Sequence, residues 1–261
     1  MATAIGVCSP SPASADVWVD ITDATWQKTY GVSAQDAAAV AQGRSDGTFS
    51  PKETVNRGQF AKMTTSGLEI SAMAPEVPSF RDVSPDYPFF SYVEGCTAAG
   101  VISGYSDGSF RPGAMVTRQQ SGSILGNWLA EQEIAAKLGV AGVRDTYPSL
   151  KAWYAAEGKS YLAGFADAQS ISPAHQAATA YLVYRGIMMG SSSETASYLR
   201  ATASVNRAQA VTLVLRARSE AAEVAQPAIT SIEPVTGLPT GGNPVVIRGH
   251  GFIDVGGVWF G

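Results

Sequence analysis

An internal repeat constrains the fold of this chain more than any other feature of its sequence. Residues 43–60 read GRSDGTFSPKETVNRGQF and residues 104–121 read GYSDGSFRPGAMVTRQQS, so the two segments align at a constant offset of 61 residues. A third, more divergent copy, YLRATASVNRAQAVTLVL, occupies residues 198–215. Its arginine follows that of the second copy by 89 residues, so 28 extra residues are expected in the third unit, around residues 147–176. A short unit cannot bury its own apolar faces, and three copies are therefore expected to pack together.

Each unit is predicted to contain a helix, a loop and a second helix. In the second copy, apolar residues recur at three-to-four spacing from Phe89 to Ala99, which indicates one apolar helix face. Gly100 or Gly104 is expected to end that helix in a left-handed conformation. Ser-Asp-Gly turns then follow at residues 45–47 and 106–108.

The second helix of every unit is predicted to begin with a capping box, in which the capping residue is followed three positions later by glutamine. The three pairs are Asn56 with Gln59, Thr117 with Gln120, and Asn206 with Gln209. Apolar residues recur at helical spacing behind each pair. Gly58, in the first turn of the first copy, is expected to weaken that helix start.

One arginine follows the capping residue in every copy, at Arg57, Arg118 and Arg207. A cation in a first helical turn opposes the helix macrodipole and costs about 0.3 kcal/mol or more, so helix propensity does not explain it. A guanidinium beside the free N–H groups of a first turn can bind a carboxylate or a phosphate. The alternative is an ion pair within the fold, with the turn aspartates or with unit-start aspartates at Asp20, Asp82 and Asp145. The chemistry alone leaves both alternatives open.

Composition and cysteine content argue against several classes of protein. Eighteen basic and 22 acidic residues give a formal net charge of −4, which argues against binding nucleic acid or an anionic membrane through bulk charge. No run approaches the roughly 20 apolar residues that a transmembrane segment needs. A buried thiol at Cys96 is favoured over a disulfide bond to Cys8.

We find no catalytic or cofactor-binding pattern, and we expect neither a metal nor a cofactor. His175 is expected to be a surface or capping residue of a helix start, and His250 to lie in a glycine-rich turn. Phosphate-binding loops, zinc signatures and nucleophile elbows are missing from the sequence, and the Asp-Gly turns offer too few ordered oxygens for a calcium loop. Trp128, Trp153 and Tyr154 could stack on sugar rings, but their spacing favours the core.

Together these motifs resemble S-layer homology (SLH) domains. In the second copy the resemblance rests on residues 80–83 (FRDV), the loop at 104–112 and residues 116–120 (VTRQQ). The corresponding segments of the other copies are 19–21, 43–51 and 55–59, and then 143–145, 186–190 and 205–209. The resemblance extends from residue 16 to about residue 220.

The resemblance implies a mainly α fold in which three helix-loop-helix units form a pseudo-threefold bundle. It also implies a non-catalytic, extracellular anchor on the bacterial cell wall. In that family, grooves between units bind secondary cell-wall polysaccharide attached to peptidoglycan, often through a pyruvate ketal carboxylate that the motif arginine contacts. The ligand-binding candidates are Arg57, Arg118, Arg207, Asp20, Asp82 and Asp145. The third copy has SSSETA at residues 191–196 in place of the Asp-Gly turn, which favours the sites of Arg57 and Arg118.

The two ends of the chain differ from the repeats. Residues 1–15 end in Ala-Ser-Ala and resemble the end of a signal peptide, although a basic n-region is missing. Residues 227–261 look like the start of an IPT/TIG immunoglobulin-like domain, and a truncated all-β segment is expected there. The predicted strands lie near residues 229–232, 245–247 and 258–260. Such a domain needs about 80–100 residues, so a longer parent protein is expected. The chain is expected to divide into a leader or signal-peptide remnant at 1–15, three repeats at 16–74, 75–136 and 137–221, and a linker with the partial immunoglobulin-like domain at 222–261.

Other classes of function compete with the anchor. A structural module that assembles with copies of itself in a surface layer, or that docks on another protein, would use the arginines as internal pairs and the insertion of the third copy as its contact surface. A third possibility is an anchored enzyme with its catalytic domain beyond residue 261. Solvent access of the arginines, and their pairing with Asp20, Asp82 or Asp145, distinguishes the first two.

Overall fold

The structure is a computed structural model that describes residues 17–135, 147–193, 196–225, 228–233 and 246–250. Its α-helices are α1 (Asp23–Thr25), α2 (Ala34–Val40), α3 (Arg57–Gly67), α4 (Phe90–Ala98), α5 (Arg118–Ala135), α6 (Leu150–Trp153), α7 (Lys159–Leu162), α8 (Pro173–Tyr184) and α9 (Arg207–Ala225). Turns of π-helix follow α1 and α6 at Trp26–Tyr30 and Tyr154–Gly158, and a 3-10 turn spans Ala168–Ser170. The strands are β1 (Ser191–Ser192), β2 (Ser197–Tyr198), β3 (Ala228–Glu233) and β4 (Val246–His250). The described part of the chain is therefore mainly helical, as the sequence predicts.

The predicted helix boundaries agree with the structure. Helices α3, α5 and α9 each begin at the motif arginine, directly after the predicted capping residue. At α3 the Gln59 N–H donates to Asn56 Oδ1 (2.9 Å), and the Asn56 N–H donates to Gln59 Oε1 (3.0 Å). The same reciprocal bonds occur at the starts of α5 and α9. Gly100 ends the helical segment of α4 with a φ of +69°, as the left-handed cap predicts.

Three buried valines join the units. The Val55 N–H donates to the Val205 carbonyl (3.1 Å), the Val205 N–H to the Val116 carbonyl (2.9 Å), and the Val116 N–H to the Val55 carbonyl (3.0 Å). These bonds form a closed ring, and all three side chains are fully buried. Each valine stands two residues before a motif arginine, so the ring fixes the starts of α3, α5 and α9 relative to one another.

The core lies between these helices. Helix α9 packs against α3 and α5, and α5 packs against α8. The loop of each unit inserts one apolar side chain into the core, and these residues, Phe49, Phe110 and Leu199, are at most 1% exposed. Burying such side chains is the main favourable contribution to the stability of a fold of this kind.

The described part of the third-unit insertion forms α6, a π-helical turn and α7, which pack against α8. Trp153 is fully buried there, with its ring centre 5.0 Å from that of Tyr181. Trp128 and Tyr154 pack against the same apolar cluster. The prediction that these aromatic residues belong to the core is confirmed.

Cys96 is buried and free, as predicted, whereas Cys8 lies outside the described residues. Strands β3 and β4 pair antiparallel and overlap two of the predicted strands, while the third predicted strand lies outside the described residues. His250 ends β4 opposite Ala228, so its assignment to a turn was wrong, because the pairing of β4 extends through it. Among the helices described, none has the length and apolar character to cross a membrane.

Candidate functional site

In each unit an aspartate upstream of the loop holds that loop. Asp82 accepts the N–H groups of Phe110 (2.7 Å) and Arg111 (2.8 Å), one on each carboxylate oxygen. Asp20 accepts those of Phe49 (2.6 Å) and Ser50 (2.8 Å), and Asp167 accepts those of Leu199 (2.8 Å) and Arg200 (2.7 Å). Each carboxylate therefore binds two successive N–H groups at the buried end of its loop.

The third of these aspartates is one that the sequence analysis missed. Asp145 lies outside the described residues, and the position that Asp20 and Asp82 hold in their units is held in the third unit by Asp167. Spacing is the signal that could have found it, because the aspartate precedes the buried loop residue by 29, 28 and 32 residues in the three units. Phe165 also stands two positions before Asp167, as Phe80 stands before Asp82.

In all three units an aromatic ring, two residues before the loop-holding aspartate, packs against a glycine of the loop. A methyl group added to Gly104 would stand 2.3 Å from Phe80 Cε1, and one added to Gly190 would stand 2.4 Å from Phe165 Cε1. The first unit has Trp18 against Gly43 in the same arrangement, at 2.3 Å. Any side chain at these glycines would displace the ring that lies beneath the loop.

Each motif arginine contacts the loop of the following unit. Arg57 donates from Nε to the Phe110 carbonyl (2.7 Å) and from Nη2 to the Ser103 carbonyl (3.0 Å). Arg118 donates in the same way to Leu199 and Met189 (both 2.9 Å), and Arg207 donates to Phe49 (2.8 Å) and Gln42 (2.9 Å). The third arginine thus returns to the loop of the first unit and closes a cycle.

In the structure each motif arginine contacts a different loop from the one that precedes it in the sequence. The divergent loop of the third unit meets Arg118, whereas Arg207 meets the intact loop of the first unit. The preference for Arg57 and Arg118 assumed that Arg207 faces the divergent loop, and that assumption was wrong. Sequence order puts each loop before its own arginine, but the fold packs that arginine on the next loop.

The N–H groups of the first helical turn are used between units as well. At α3 the Arg57 N–H donates to the Ala114 carbonyl (2.9 Å) and the Gly58 N–H to the Pro112 carbonyl (3.0 Å). Equivalent bonds from α5 end on Ala203 and Ala201, and those from α9 end on Glu53 and Pro51. These donors therefore do not form the anion site that the sequence analysis considered, because the neighbouring loop crosses each helix start.

The guanidinium groups keep unused donors. A guanidinium has five N–H donors, and the carbonyl bonds of each motif arginine involve only Nε and Nη2. Within the described residues, no motif arginine forms an ion pair with Asp20 or Asp82. Burial lowers the pKa of Arg57, Arg118 and Arg207. An arginine that is partly desolvated and not paired with an acid is suited to binding an acidic group.

The first groove lies beside Arg57. It is a cavity of about 230 Å³, and its lining includes Arg57, Tyr105, Asn127 and His175. His175 Nδ1 lies 2.6 Å from Ser123 Oγ, and burial lowers the pKa of the imidazole. His175 is therefore a half-buried groove residue, which sequence reasoning missed because this groove combines side chains from all three units.

The second groove lies beside Arg118. It is a cavity of about 350 Å³, and its lining includes Arg118, Tyr198, Arg200 and Asn206. All but Arg118 come from the third unit, whose loop is closed by the β1–β2 pair. Both cavities therefore form where the arginine of one unit meets the loop of the next.

Comparison with known proteins agrees with this geometry. Residues 21–61 and 79–120 match the family model described as the S-layer homology domain. In these two ranges the chain is similar to the S-layer homology family. The first range begins one residue after Asp20 and the second three residues before Asp82, and the two ranges end inside α3 and α5.

Several surface proteins are similar to this chain. It is 26% identical over 170 residues to the surface-layer 125 kDa protein of Lysinibacillus sphaericus, which covers 65% of this chain and 12% of that protein. It is 28% identical over 110 residues to a cellulosome-anchoring protein of Acetivibrio thermocellus (41% of this chain, 24% of that protein). It is 39% identical over 87 residues to an uncharacterized cell wall amidase of Bacillus anthracis (32% and 15%).

The chain spans less than a quarter of the length of each of these relatives. The S-layer homology domain is an anchoring module and not a catalytic one. The matches therefore support a surface-anchoring module and place the chain at the cell wall or cell surface.

Proposed function

We propose that the repeat region is a non-catalytic anchor made of three S-layer homology units around a pseudo-threefold axis. The units would correspond to residues 16–74, 75–136 and 137–221. The cyclic hydrogen bonds of the motif arginines and the valine ring support this arrangement. The third unit lies outside the two family matches, and Asp167, Phe165 and Gly190 support its inclusion.

The proposed ligand is an acidic secondary cell-wall polysaccharide linked to peptidoglycan, bound through a carboxylate such as a pyruvate ketal. One observation carries this proposal: Arg57 and Arg118 lie in cavities between units, and their bonds to carbonyl groups use only Nε and Nη2. Guanidinium groups bind carboxylates through paired, charge-assisted hydrogen bonds. Asp20 and Asp82 would serve this site by positioning the loops, and Asp145 stays a predicted ligand contact.

The C-terminal segment has a separate proposed identity. We propose that residues 227–261 begin an immunoglobulin-like domain of the IPT/TIG type. The antiparallel pairing of β3 with β4 supports an all-β segment there. Residues 1–15 stay a predicted signal-peptide remnant and lie outside the described residues.

Self-assembly or docking on another protein is the second candidate function. The observation that favours it is that each motif arginine is bonded to two carbonyl groups inside the fold, as an internal role predicts. The two candidates differ in whether binding depends on the wall polymer and on the spare N–H donors of the arginines.

Co-sedimentation of the full chain with purified wall sacculi tests the proposal, with native sacculi compared with sacculi stripped of their acid-labile polymer. The test variant is Arg57→Lys/Arg118→Lys, which keeps both charges and removes the forked donors. The matched control is Arg216→Lys, because Arg216 also donates to two carbonyls, of Tyr30 and Ile187, but lies outside both grooves. Circular dichroism checks that each variant is folded.

The anchor proposal expects binding to disappear on stripped sacculi and to fall about tenfold in the double variant but not in the control, since paired charge-assisted bonds are the strong ones. Binding that survives both changes would contradict the role of the arginines and point to peptidoglycan or a protein partner. If the folded chain does not bind native sacculi, the self-assembly or docking candidate is favoured.

A further inference from the structure

The three arginine sites differ at one loop position that the fold makes equivalent. It directly follows the buried apolar residue and has a left-handed backbone in every unit, with φ of +57° at Ser50, +59° at Arg111 and +52° at Arg200. The site of Arg207 thus has a serine there, whereas those of Arg57 and Arg118 have a second arginine. Two of the three sites therefore contain a pair of guanidinium groups.

Acidic side chains pair with the additional cations of the first and second loops. Arg111 forms an ion pair with Asp107 (3.2 Å), and Arg81 lies 3.3 Å from the same carboxylate. In the first loop Arg44 forms an ion pair with Glu53. Their positive charges are therefore partly cancelled before any ligand arrives.

The groove of Arg118 differs from the other two sites in this respect. Within the part of the chain that the structure describes, neither Arg118 nor Arg200 forms an ion pair. Asp167 attracts Arg118, but both of its oxygens already accept backbone N–H groups. Burial and, after it, the positive charge of Arg200 lower the pKa of Arg118. Two like charges therefore face one cavity of about 350 Å³.

We infer that the groove of Arg118 binds a sugar unit that carries two negative charges, held between Arg118 and Arg200. This inference rests on the proposed function, since it specifies the acidic ligand for one groove. Two adjacent carboxylates or one doubly charged phosphate share the required chemistry. A ligand with a single charge would leave one guanidinium unpaired and would be bound less tightly.

The rim of this groove suits the rest of a sugar unit. Met189 and Tyr198 line the same cavity and are 57% and 37% exposed. An exposed aromatic ring offers a face for the apolar side of a pyranose, and the Asn206 and Gln209 side chains line the cavity as well. The groove thus combines two cations with an apolar rim.

The experiment titrates the isotope-labelled full chain with sodium malonate, acetate and inorganic phosphate at constant ionic strength. The Nε–H signals of Arg118 and Arg200 in NMR spectra report binding. Malonate and acetate have the same carboxylate chemistry but differ in charge, while phosphate tests the other source of two charges. We expect malonate or phosphate to bind at least about tenfold more tightly than acetate, because a second charge-assisted hydrogen bond forms.

Arg200→Ser is the informative variant, since Ser50 occupies the same backbone conformation in the first unit. It should reduce the preference for dianions to about twofold, since only one guanidinium remains. Arg111→Ser, the equivalent change in the second unit, is the matched control and should leave the Arg118 signals unchanged. Equal affinity for acetate and the dianions, or an unchanged preference in Arg200→Ser, would overturn the inference.

Sedimentation with sacculi separates this inference from the proposed function. If binding to native sacculi depends on the polymer but Arg200→Ser binds as well as the unchanged chain, the anchor stands and the two-charge ligand is wrong. If Arg200→Ser weakens binding to native sacculi while Arg216→Lys, outside both grooves, does not, the inference is supported on the wall as well as with small anions.

Discussion

Three loop residues have a backbone conformation that side chains usually avoid. Ser50, Arg111 and Arg200 all have positive φ, which costs on the order of 1 kcal/mol for a residue with a side chain. In each case the N–H of that residue is bound by an aspartate, such as Asp82 at Arg111. The carboxylate therefore offsets the strain with a charge-assisted hydrogen bond, and the loop keeps the carbonyl groups that the motif arginines need.

Asp82→Ala should lower the free energy of unfolding by about 2 kcal/mol, because two backbone N–H groups lose a charged acceptor. Urea denaturation at pH 7 measures this difference. The control is Asp86→Ala, since Asp86 is an exposed carboxylate of the same unit. An equal effect of the two substitutions would show that the carboxylate of Asp82 does not hold the loop.

The same carboxylate predicts a dependence of stability on pH. Burial raises the pKa of Asp82, but the N–H donors of Phe110 and Arg111 outweigh it and leave the pKa below its ordinary value of 3.8. A lowered pKa in the folded state gives stability that is present above about pH 4 and is lost as the pH falls through the folded-state pKa. The stability difference between the unchanged chain and Asp82→Asn should therefore be larger at pH 6 than at pH 2.5. A constant difference in urea denaturation at the two pH values would contradict this.

At the scale of residues, the sequence identified the capping residues and the motif arginines correctly. It did not identify the groups that the arginines contact. Capping boxes and the buried thiol of Cys96 depend on neighbours within a few residues or on one apolar face, so local patterns were sufficient. The partners of Arg57 lie 46 and 53 residues away in the chain, and no local pattern specifies them. Asp167 was missed because residues 143–145 (VRD) offered an earlier match to residues 80–82 (FRD), and because the spacing from Asp167 to its loop is longer than in the other two units.

Helix α3 shows why a local rule can fail at the scale of an element. Gly58 occupies a position that is Gln119 in α5 and Ala208 in α9, and helix propensity alone makes glycine the worst of the three. A methyl group at Gly58 would stand 2.0 Å from the Tyr87 hydroxyl oxygen and 2.9 Å from Tyr87 Cζ. The glycine therefore makes room for a tyrosine of the second unit, which the sequence of α3 does not reveal.

Gly58→Ala should destabilise the chain by about 2 kcal/mol, since Tyr87 would have to move. In a Tyr87→Ala background the same substitution should instead stabilise it by roughly 0.5 kcal/mol through helix propensity. Urea denaturation of the two single variants and the double variant completes a cycle that isolates the contact. The cycle also controls for the cost of losing Tyr87, whose ring packs against Phe89. Additive effects would mean that Gly58 is not required by this tyrosine.

Element positions followed from the sequence, but the pairing of elements did not. The starts of α3, α5 and α9 were predicted because capping chemistry lies within four residues. The assignment of loops to arginines was wrong for Arg207 because it depends on which unit packs next in space. Local capping is specified by local residues, whereas the order of units around a shared core is a property of the folded chain.

At the scale of the whole molecule, the hydrogen bonds between the described repeats close a cycle. Arg207 reaches a carbonyl 158 residues earlier in the chain, and the Val205 carbonyl accepts from Val55. In a linear array each unit contacts only its neighbours and the ends can fray independently. In a cycle, opening one unit exposes donors or acceptors in both of the others, so the units should lose structure together.

Hydrogen exchange can test this cooperativity at the valine ring. The amides of Val55, Val116 and Val205 should exchange with equal protection, within about 1 kcal/mol of the global free energy of unfolding. The Ser193 amide, whose bond to the Ala196 carbonyl closes an exposed hairpin, is the internal reference and should exchange much faster. Exchange followed by NMR on the full chain measures all four amides at once. If Val205 exchanged far faster than Val55 and Val116, the third unit would be opening alone, and the repeats would behave as a linear array in solution.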